Sequence, residues 1–142
     1  MKRLFGLVVL AFLTVTAQAG AQQAPMSIAG ASTVNAERVV ALIGELPDLV
    51  IIDTRRVEDY NRGHIEGSIR VLDTDLNEQV LAQHVRERNT PVLFYCNGLT
   101  CGRAALAAEM AVRWGYTRVH YYALGMDEWN RLNMPVQQAS AR

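Results

Sequence analysis

Several features are scarce in this chain, and each scarcity argues against a class of protein. Among its 142 residues, 14 basic and 14 acidic side chains balance, so no excess of charge favours binding to nucleic acid. The three histidines are dispersed and lack the paired spacing of metal ligands, so we expect no metal and no cofactor. The chain has no repeat, low-complexity tract or second domain, and its length suits one domain with a real core.

The apolar run near the N-terminus is too short to span a membrane as a helix. Two basic residues precede this run, which covers residues 4–16, and the small residues Ala17 and Ala19 follow it. This order is typical of a secretory signal peptide, so we predict one over residues 1–19, with cleavage after residue 21 as an alternative. The mature protein is then expected in the bacterial periplasm or outside the cell, without a membrane span. An uncleaved anchor or a buried N-terminal helix is the competing interpretation.

After a leader that we expect to be flexible, residues 20–31, the apolar pattern alternates between strand and helix. Residues 49–52 form a continuous apolar run typical of a strand covered on both faces, and helical spacing of apolar residues predicts a helix over 75–88. Strands that alternate with helices predict an α/β fold with a mostly parallel sheet and helices on both faces. We place this domain at residues 32–137, followed by a short tail at 138–142.

The only two cysteines lie together between a predicted strand, residues 92–95, and a predicted helix, residues 103–114. A thiol at this junction faces the N-terminus of a helix, where N–H groups and the helix dipole stabilise an anion. Such surroundings lower the pKa of a cysteine and favour the reactive thiolate, so Cys96 is a candidate nucleophile. Asp53 also follows a predicted strand, and we expect it in the same crevice, because ligands bind beyond the carboxyl ends of parallel strands.

The spacing of the two cysteines bears on the choice between a structural and a reactive pair. In an oxidising compartment Cys96 and Cys101 could form a disulfide. The ring that it closes is very small, so the bond would add little stability through loop entropy. We therefore favour a reactive thiol with a neighbouring thiol over a structural crosslink.

Short motifs follow one another along the chain in a definite order. They are Ile51-Ile52-Asp53-Thr54-Arg55, then Glu58 and Tyr60, Gly63-His64-Ile65-Glu66-Gly67-Ser68, Tyr95-Cys96 with Gly98, and Leu124-Gly125-Met126-Asp127-Glu128-Trp129 with Pro135-Val136. In this order they resemble the single-domain rhodanese (sulfurtransferase) family over about residues 35–136. The resemblance departs from the family where Leu124 replaces a usual glycine. It also departs inside the cysteine loop, which lacks the usual arginines and has Cys101 at the position of the second one.

The resemblance implies that Cys96 is the catalytic residue and carries sulfur as a persulfide. The donor would be a small sulfur compound such as thiosulfate, and the acceptor a thiol or a cyanide-like molecule; a protein sulfur acceptor or a thiol reductant is an alternative partner. Backbone N–H groups of the loop would stabilise the bound sulfur, with Gly98 and Gly102 allowing a tight turn and close approach. The substrate-binding loop would comprise Asn97, Gly98, Leu99, Thr100, Cys101, Gly102 and Arg103. The residues that brace the site would be Asp53, Arg55, Glu58 and His64.

Other interpretations of the same residues stay open. Cys101 either fills the place of an arginine as a small residue or acts as a resolving thiol that attacks a Cys96 persulfide and leaves a disulfide. The pair could then serve thiol–disulfide redox, or the protein could carry a persulfide to a partner. Phosphatase chemistry is disfavoured, because a Cys-x5-Arg loop would need an arginine at Gly102, whereas the arginine stands one place later, at Arg103.

Overall fold

The computed structural model describes residues 23–139, so the predicted signal peptide lies outside the described residues. Within that range five parallel strands form one sheet in the order β1-β5-β4-β2-β3. The strands are β1 (Ser32–Thr33), β2 (Val50–Asp53), β3 (Ile69–Arg70), β4 (Val92–Tyr95) and β5 (Val119–Tyr122). The helices are α1 (Ala36–Glu45), α2 (Val57–Arg62), α3 (Glu78–His84), α4 (Arg103–Arg113) and α5 (Gly125–Arg131). The predicted α/β fold is confirmed.

Two apolar clusters cover the two faces of the sheet. On one face α3 and α4 pack against β4 and β5, and the buried face of α4 consists of alanines, which let the helix backbone approach the strands closely. On the other face α1 and α5 pack through larger side chains such as Leu42 and Trp129. All four residues of β4 are buried, as expected for a central strand whose sequence is apolar throughout.

The register of β2 against β4 sets the position of the candidate site. Asp53 pairs with Tyr95 at the carboxyl ends of the two strands, and Cys96 is the next residue after Tyr95. Asp53 and Cys96 therefore meet at one edge of the sheet, as the sequence predicts.

The helix predicted over residues 75–88 is shorter in the structure, where α3 runs from Glu78 to His84. The Asn77 side chain accepts a hydrogen bond from the Val80 N–H at 2.9 Å, and this cap starts the helix later than the apolar spacing suggests. Apolar residues beyond the ends of α3, such as Leu76, lie in the connecting segments and are buried there.

The part of the leader that the structure describes packs against the domain instead of extending from it. Ala24 and Ile28 are buried, and the Tyr121 hydroxyl donates to the Pro25 carbonyl at 2.8 Å. The chain then enters the sheet edge as β1, a strand that sequence reasoning missed because its two residues are polar and exposed.

His120 in β5 generates a prediction about pH and stability. Within the described residues both of its ring nitrogens are buried without a hydrogen-bond partner. Burial, and then the charges of Arg118 and Arg38, lower the pKa of His120 below its ordinary value. Because the unfolded chain binds this proton more readily, we expect the free energy of unfolding to fall as the pH drops from neutral through the ordinary histidine pKa of about 6.5 and below it.

Urea unfolding across that pH range tests the assignment. His120→Gln should remove much of the fall in the free energy of unfolding, whereas the control His84→Gln, on α3, should keep it. An equal pH dependence in both variants would contradict the role of His120.

Candidate active site

Cys96 directly follows the central strand β4, at the edge of the sheet where the parallel strands end. Its side chain is 2% exposed, whereas Cys101 is partly exposed. Their sulfurs form a disulfide, with the two Cα atoms 6.1 Å apart, and no free cysteine remains in the described chain. The loop is thus in an oxidised state, with Cys101 as the partner of Cys96.

The first turn of α5 holds the start of the cysteine loop. The Met126 N–H donates to the Cys96 carbonyl at 3.0 Å, and the Asp127 N–H donates to the Asn97 carbonyl at 2.7 Å. These N–H groups belong to the helix end that has no partners within the helix, so the loop carbonyls satisfy them. Both carbonyls are thereby directed towards α5.

The next two carbonyls of the loop are also occupied. The Gly98 carbonyl accepts from the Cys101 N–H at 3.0 Å, and the Leu99 carbonyl accepts from the Ala24 N–H at 2.7 Å. In contrast, no hydrogen bond from the N–H groups of residues 97–100 is found within the described range. Backbone N–H groups need a partner, so this row is available to solvent or to a bound anion.

The glycine that this arrangement requires is Gly125, and the expectation for Gly102 is wrong. Gly102 has φ −77°, and a Cβ there would meet nothing within 4 Å. Gly98 has an allowed φ as well, but a Cβ there would strike the Asp127 carboxylate. Gly125 has φ +51°, and its Cβ would overlap the carbonyl oxygen of Cys96.

A buried ion pair between Asp53 and Arg55 supports the cysteine loop. The Arg55 Nη2 donates to the Asp53 carboxylate at 2.7 Å and to the Gly63 carbonyl at 2.8 Å. The Tyr95 hydroxyl donates to the same carboxylate at 2.6 Å, and Arg55 Nη1 donates to the Asn97 side-chain oxygen at 3.4 Å. This Asp53 network joins β2, β4, the turn after α2 and the cysteine loop.

The surroundings of the network keep its donors protonated. Burial opposes the charge on Arg55, but hydrogen bonding to Asp53 and the charge of that carboxylate outweigh it, so the pKa of Arg55 is raised. Burial and the adjacent Asp53 raise the pKa of Tyr95 above its ordinary value. Both groups therefore remain hydrogen-bond donors and act as braces, not as proton-transfer groups.

One predicted bracing residue, Glu58, does not support the site. Glu58 is exposed and makes no hydrogen bond within the described residues, so its predicted bracing role is wrong. Arg55 lies instead against the Tyr95 ring, with its guanidinium carbon 5.7 Å from the ring centroid, and donates to the Asn97 side chain. Tyr95 was missed because its apolar surroundings indicate only a core strand; the signal was its hydroxyl, which needs a partner when buried.

His64 supports the turn that follows α2. Its ring stacks on Tyr60 with centroids 3.7 Å apart, and Nδ1 lies 2.8 Å from the Tyr60 carbonyl oxygen. The Tyr60 hydroxyl then donates to the Ser68 carbonyl at 2.8 Å, which closes the turn. His64 is 4% exposed and does not contact the cysteines.

The remaining loop residues differ in their surroundings. Leu99 packs against the core, whereas Thr100 is exposed. Arg103 begins α4, and its Nε lies 3.2 Å from the Asp73 carboxylate. Within residues 23–139 no group of three potential metal-binding side chains is found, and no helix has the length and apolar character needed to cross a membrane.

The profile of the Rhodanese-like domain family matches residues 35–132. The chain belongs to the rhodanese-like domain family. This assignment confirms the resemblance drawn from the ordered motifs and supports sulfur transfer at the level of the family.

Curated relatives align with part of this rhodanese-like chain. Protein YibN of Escherichia coli K12, itself uncharacterized, is 28% identical over 90 residues, which make up 63% of this chain and 61% of YibN. The chain spans about three fifths of the length of the curated relatives it matches first.

Two solved structures have the same fold as this chain. Their sequence identity to it is low, so the likeness concerns the fold and not the function. The polysulfide-sulfur transferase homodimer of Wolinella succinogenes has a TM-score of 0.64 and 23% identity, covering 80% of this chain and 83% of its own. Thiosulfate sulfurtransferase of Pseudomonas aeruginosa has a TM-score of 0.67 and 23% identity, covering 79% of this chain and 21% of its own.

The Asp53 network yields a prediction about stability. Asp53→Asn removes the negative partner of a buried guanidinium, so we expect the free energy of unfolding to fall by about 3–5 kcal/mol in urea titrations. The matched control, Glu58→Gln, changes an exposed carboxylate without partners and should cost less than about 0.5 kcal/mol. Equal stability of the two variants would contradict the bracing role of Asp53.

The contact between α5 and the loop yields a second prediction. Gly125→Ala places a Cβ against the Cys96 carbonyl oxygen at a left-handed φ, and we expect it to lower the free energy of unfolding by about 2–4 kcal/mol. Gly102→Ala, in the same loop, should change it by less than about 0.5 kcal/mol. Thermal unfolding of the two variants compares them directly, and a tolerated alanine at residue 125 would refute the contact.

Proposed function

We propose that this chain is a sulfurtransferase whose Cys96 thiolate takes a sulfane sulfur from a small donor such as thiosulfate and passes it to an acceptor. The observation that carries the proposal is the row of unpaired N–H groups at residues 97–100, directly after Cys96. Successive N–H groups stabilise an anion held over such a loop. A persulfide anion and its anionic donor both fit that requirement, and the family assignment supports the same chemistry.

The first half-reaction requires the reduced loop. The Cys96 thiolate attacks the outer sulfur of thiosulfate, the S–S bond of the donor breaks, and sulfite leaves with the electron pair. Cys96 then carries the transferred sulfur as a persulfide. Because Leu99 and Thr100 offer no charge, the donor would be held by the backbone N–H groups and the Thr100 hydroxyl.

The second half-reaction returns the enzyme to its starting state. A thiolate or cyanide attacks the outer sulfur of the persulfide, and Cys96 leaves as the thiolate. The anion on Cys96 before and after transfer would be stabilised by the same N–H groups, so neither state requires the loop to rearrange. The Asp53 network would hold the loop in place without contacting the sulfur.

The disulfide favours a second function for the same pair, in thiol–disulfide redox or persulfide carriage. The Cys101 thiolate would attack the inner sulfur of the Cys96 persulfide, hydrosulfide would leave, and the Cys96–Cys101 disulfide would remain. In this scheme Cys101 is the resolving thiol, and a thiol reductant restores the pair.

Intact-mass measurement after addition of thiosulfate to the reduced protein tests both functions. Cys101→Ser should gain and keep one sulfur atom, and Cys96→Ser should gain none. The wild type should also gain one sulfur atom, and a later loss of that sulfur with two hydrogens would assign resolution to Cys101.

Turnover with thiosulfate and cyanide completes that test. Cys96→Ser should abolish sulfite release, whereas Cys101→Ser should retain it. Sulfite release by Cys96→Ser at the wild-type rate would refute Cys96 as the sulfur carrier.

We also propose that the protein acts in an oxidising compartment, the bacterial periplasm or the exterior of the cell. The disulfide supports this location, because such bonds persist where glutathione and thioredoxin do not keep thiols reduced. The signal peptide predicted at residues 1–19 points the same way.

A further inference from the structure

A cleft of about 430 Å³ opens beside the disulfide on the Cys101 side, a volume within the range of small-molecule sites. Side chains of Arg56, Asp59, Thr100, Cys101 and Arg103 line this Cys101 cleft. Cys96 is not among the lining residues. The cleft therefore borders Cys101 and not Cys96.

The charges that face the Cys101 cleft leave one cation uncompensated. Asp59 forms an ion pair with Arg62, and Arg103 lies 3.2 Å from the Asp73 carboxylate. Arg56 forms no ion pair within residues 23–139 and is exposed to solvent. An anionic ligand in the cleft would thus meet the free charge of Arg56.

The exposure of the two cysteines favours attack by an external thiol on Cys101. Cys96 is 2% exposed, whereas Cys101 is partly exposed and lines the cleft. Attack on Cys101 expels the sulfur of Cys96, and a leaving thiolate departs faster when its surroundings lower its pKa. We expect the N–H groups of residues 97–100, which are unpaired within the described residues, to stabilise the Cys96 thiolate as it leaves.

We propose that the Cys101 cleft binds a small thiol that carries a carboxylate, and that this thiol reduces the disulfide by attacking the sulfur of Cys101. The thiolate forms a mixed disulfide with Cys101, the Cys96–Cys101 bond breaks, and Cys96 leaves as a thiolate. A second molecule of the thiol then attacks the sulfur of the bound thiol, which yields the external disulfide and the Cys101 thiolate. This step rests on the proposed function, because it restores the Cys96 thiolate that accepts sulfur.

Arg56 is the residue that selects the charge of the reducing thiol. It occupies the N-cap position of α2, but its side chain makes no capping hydrogen bond, so Arg56→Gln leaves the helix cap unchanged. Arg113, in the last turn of α4, is exposed and has no ion pair among the described residues. Arg113→Gln therefore makes the same change of charge outside the cleft and is the matched control.

Reduction rates of the oxidised full chain test the charge selection. The probes are 3-mercaptopropionate as an anion, 2-mercaptoethanol as a neutral thiol and cysteamine as a cation, with alkylation and intact mass as the readout. Arg56→Gln should slow reduction by 3-mercaptopropionate by about threefold to tenfold and change reduction by 2-mercaptoethanol by less than about twofold. Added salt should shrink the effect on the anion, and Arg113→Gln should match the wild type with all three thiols.

Peptide mapping of the trapped mixed disulfide tests the site of attack. We expect the added thiol on Cys101 and the alkyl group on Cys96. The opposite pattern, equal effects of Arg56→Gln on all three thiols, or a chain that forms no disulfide under a mild oxidant would overturn the proposal. No sulfur donor is present in these experiments, so a failure of the chain to form a persulfide would refute the proposed function independently of their result.

Discussion

The Asp53 carboxylate is the group on which the site depends, because it lies in the protein interior and accepts hydrogen bonds from two residues, Arg55 and Tyr95. Arg55 neutralises it and extends to the Gly63 carbonyl, while the Tyr95 hydroxyl attaches it to the central strand immediately before Cys96. A buried charge without such partners would be costly, so the loss of one partner destabilises the charge that remains. Its geometry fixes where β4 ends, and hence where the cysteine loop begins.

Segments distant in sequence also hold the cysteine loop in place, through hydrogen bonds to its carbonyls. The start of α5 binds the carbonyls of Cys96 and Asn97, and Ala24 binds that of Leu99. These carbonyls are occupied, whereas the N–H groups of residues 97–100 have no partner among the described residues and are available to an anionic sulfur. The same loop contains both the sulfur-accepting thiol and its oxidising partner. Sulfur carriage and disulfide formation are thus competing states of Cys96, and the reductant decides between them.

Much of the fold could be predicted from local pattern. The continuous apolar run before Asp53 and the aromatic run before Cys96 are strands, because both faces of each are covered. The wrong predictions arise where a single contact overrides the pattern. Asn77 caps α3 later than its apolar spacing suggests, and β1 forms only because β5 offers an edge to pair with.

Sequence alone identified Cys96 as the candidate nucleophile, placed Asp53 at the same edge of the sheet and indicated the family through motifs in order. These inferences rest on residue type and spacing, which local chemistry and parallel topology translate directly into position. Only the tertiary structure decided that Tyr95 and not Glu58 joins the Asp53 network, that Gly125 and not Gly102 must be glycine, and that Arg56 and Cys101 line one cleft. Each of these depends on the direction of a side chain or the approach of a distant backbone, which is set by packing between elements far apart in the chain.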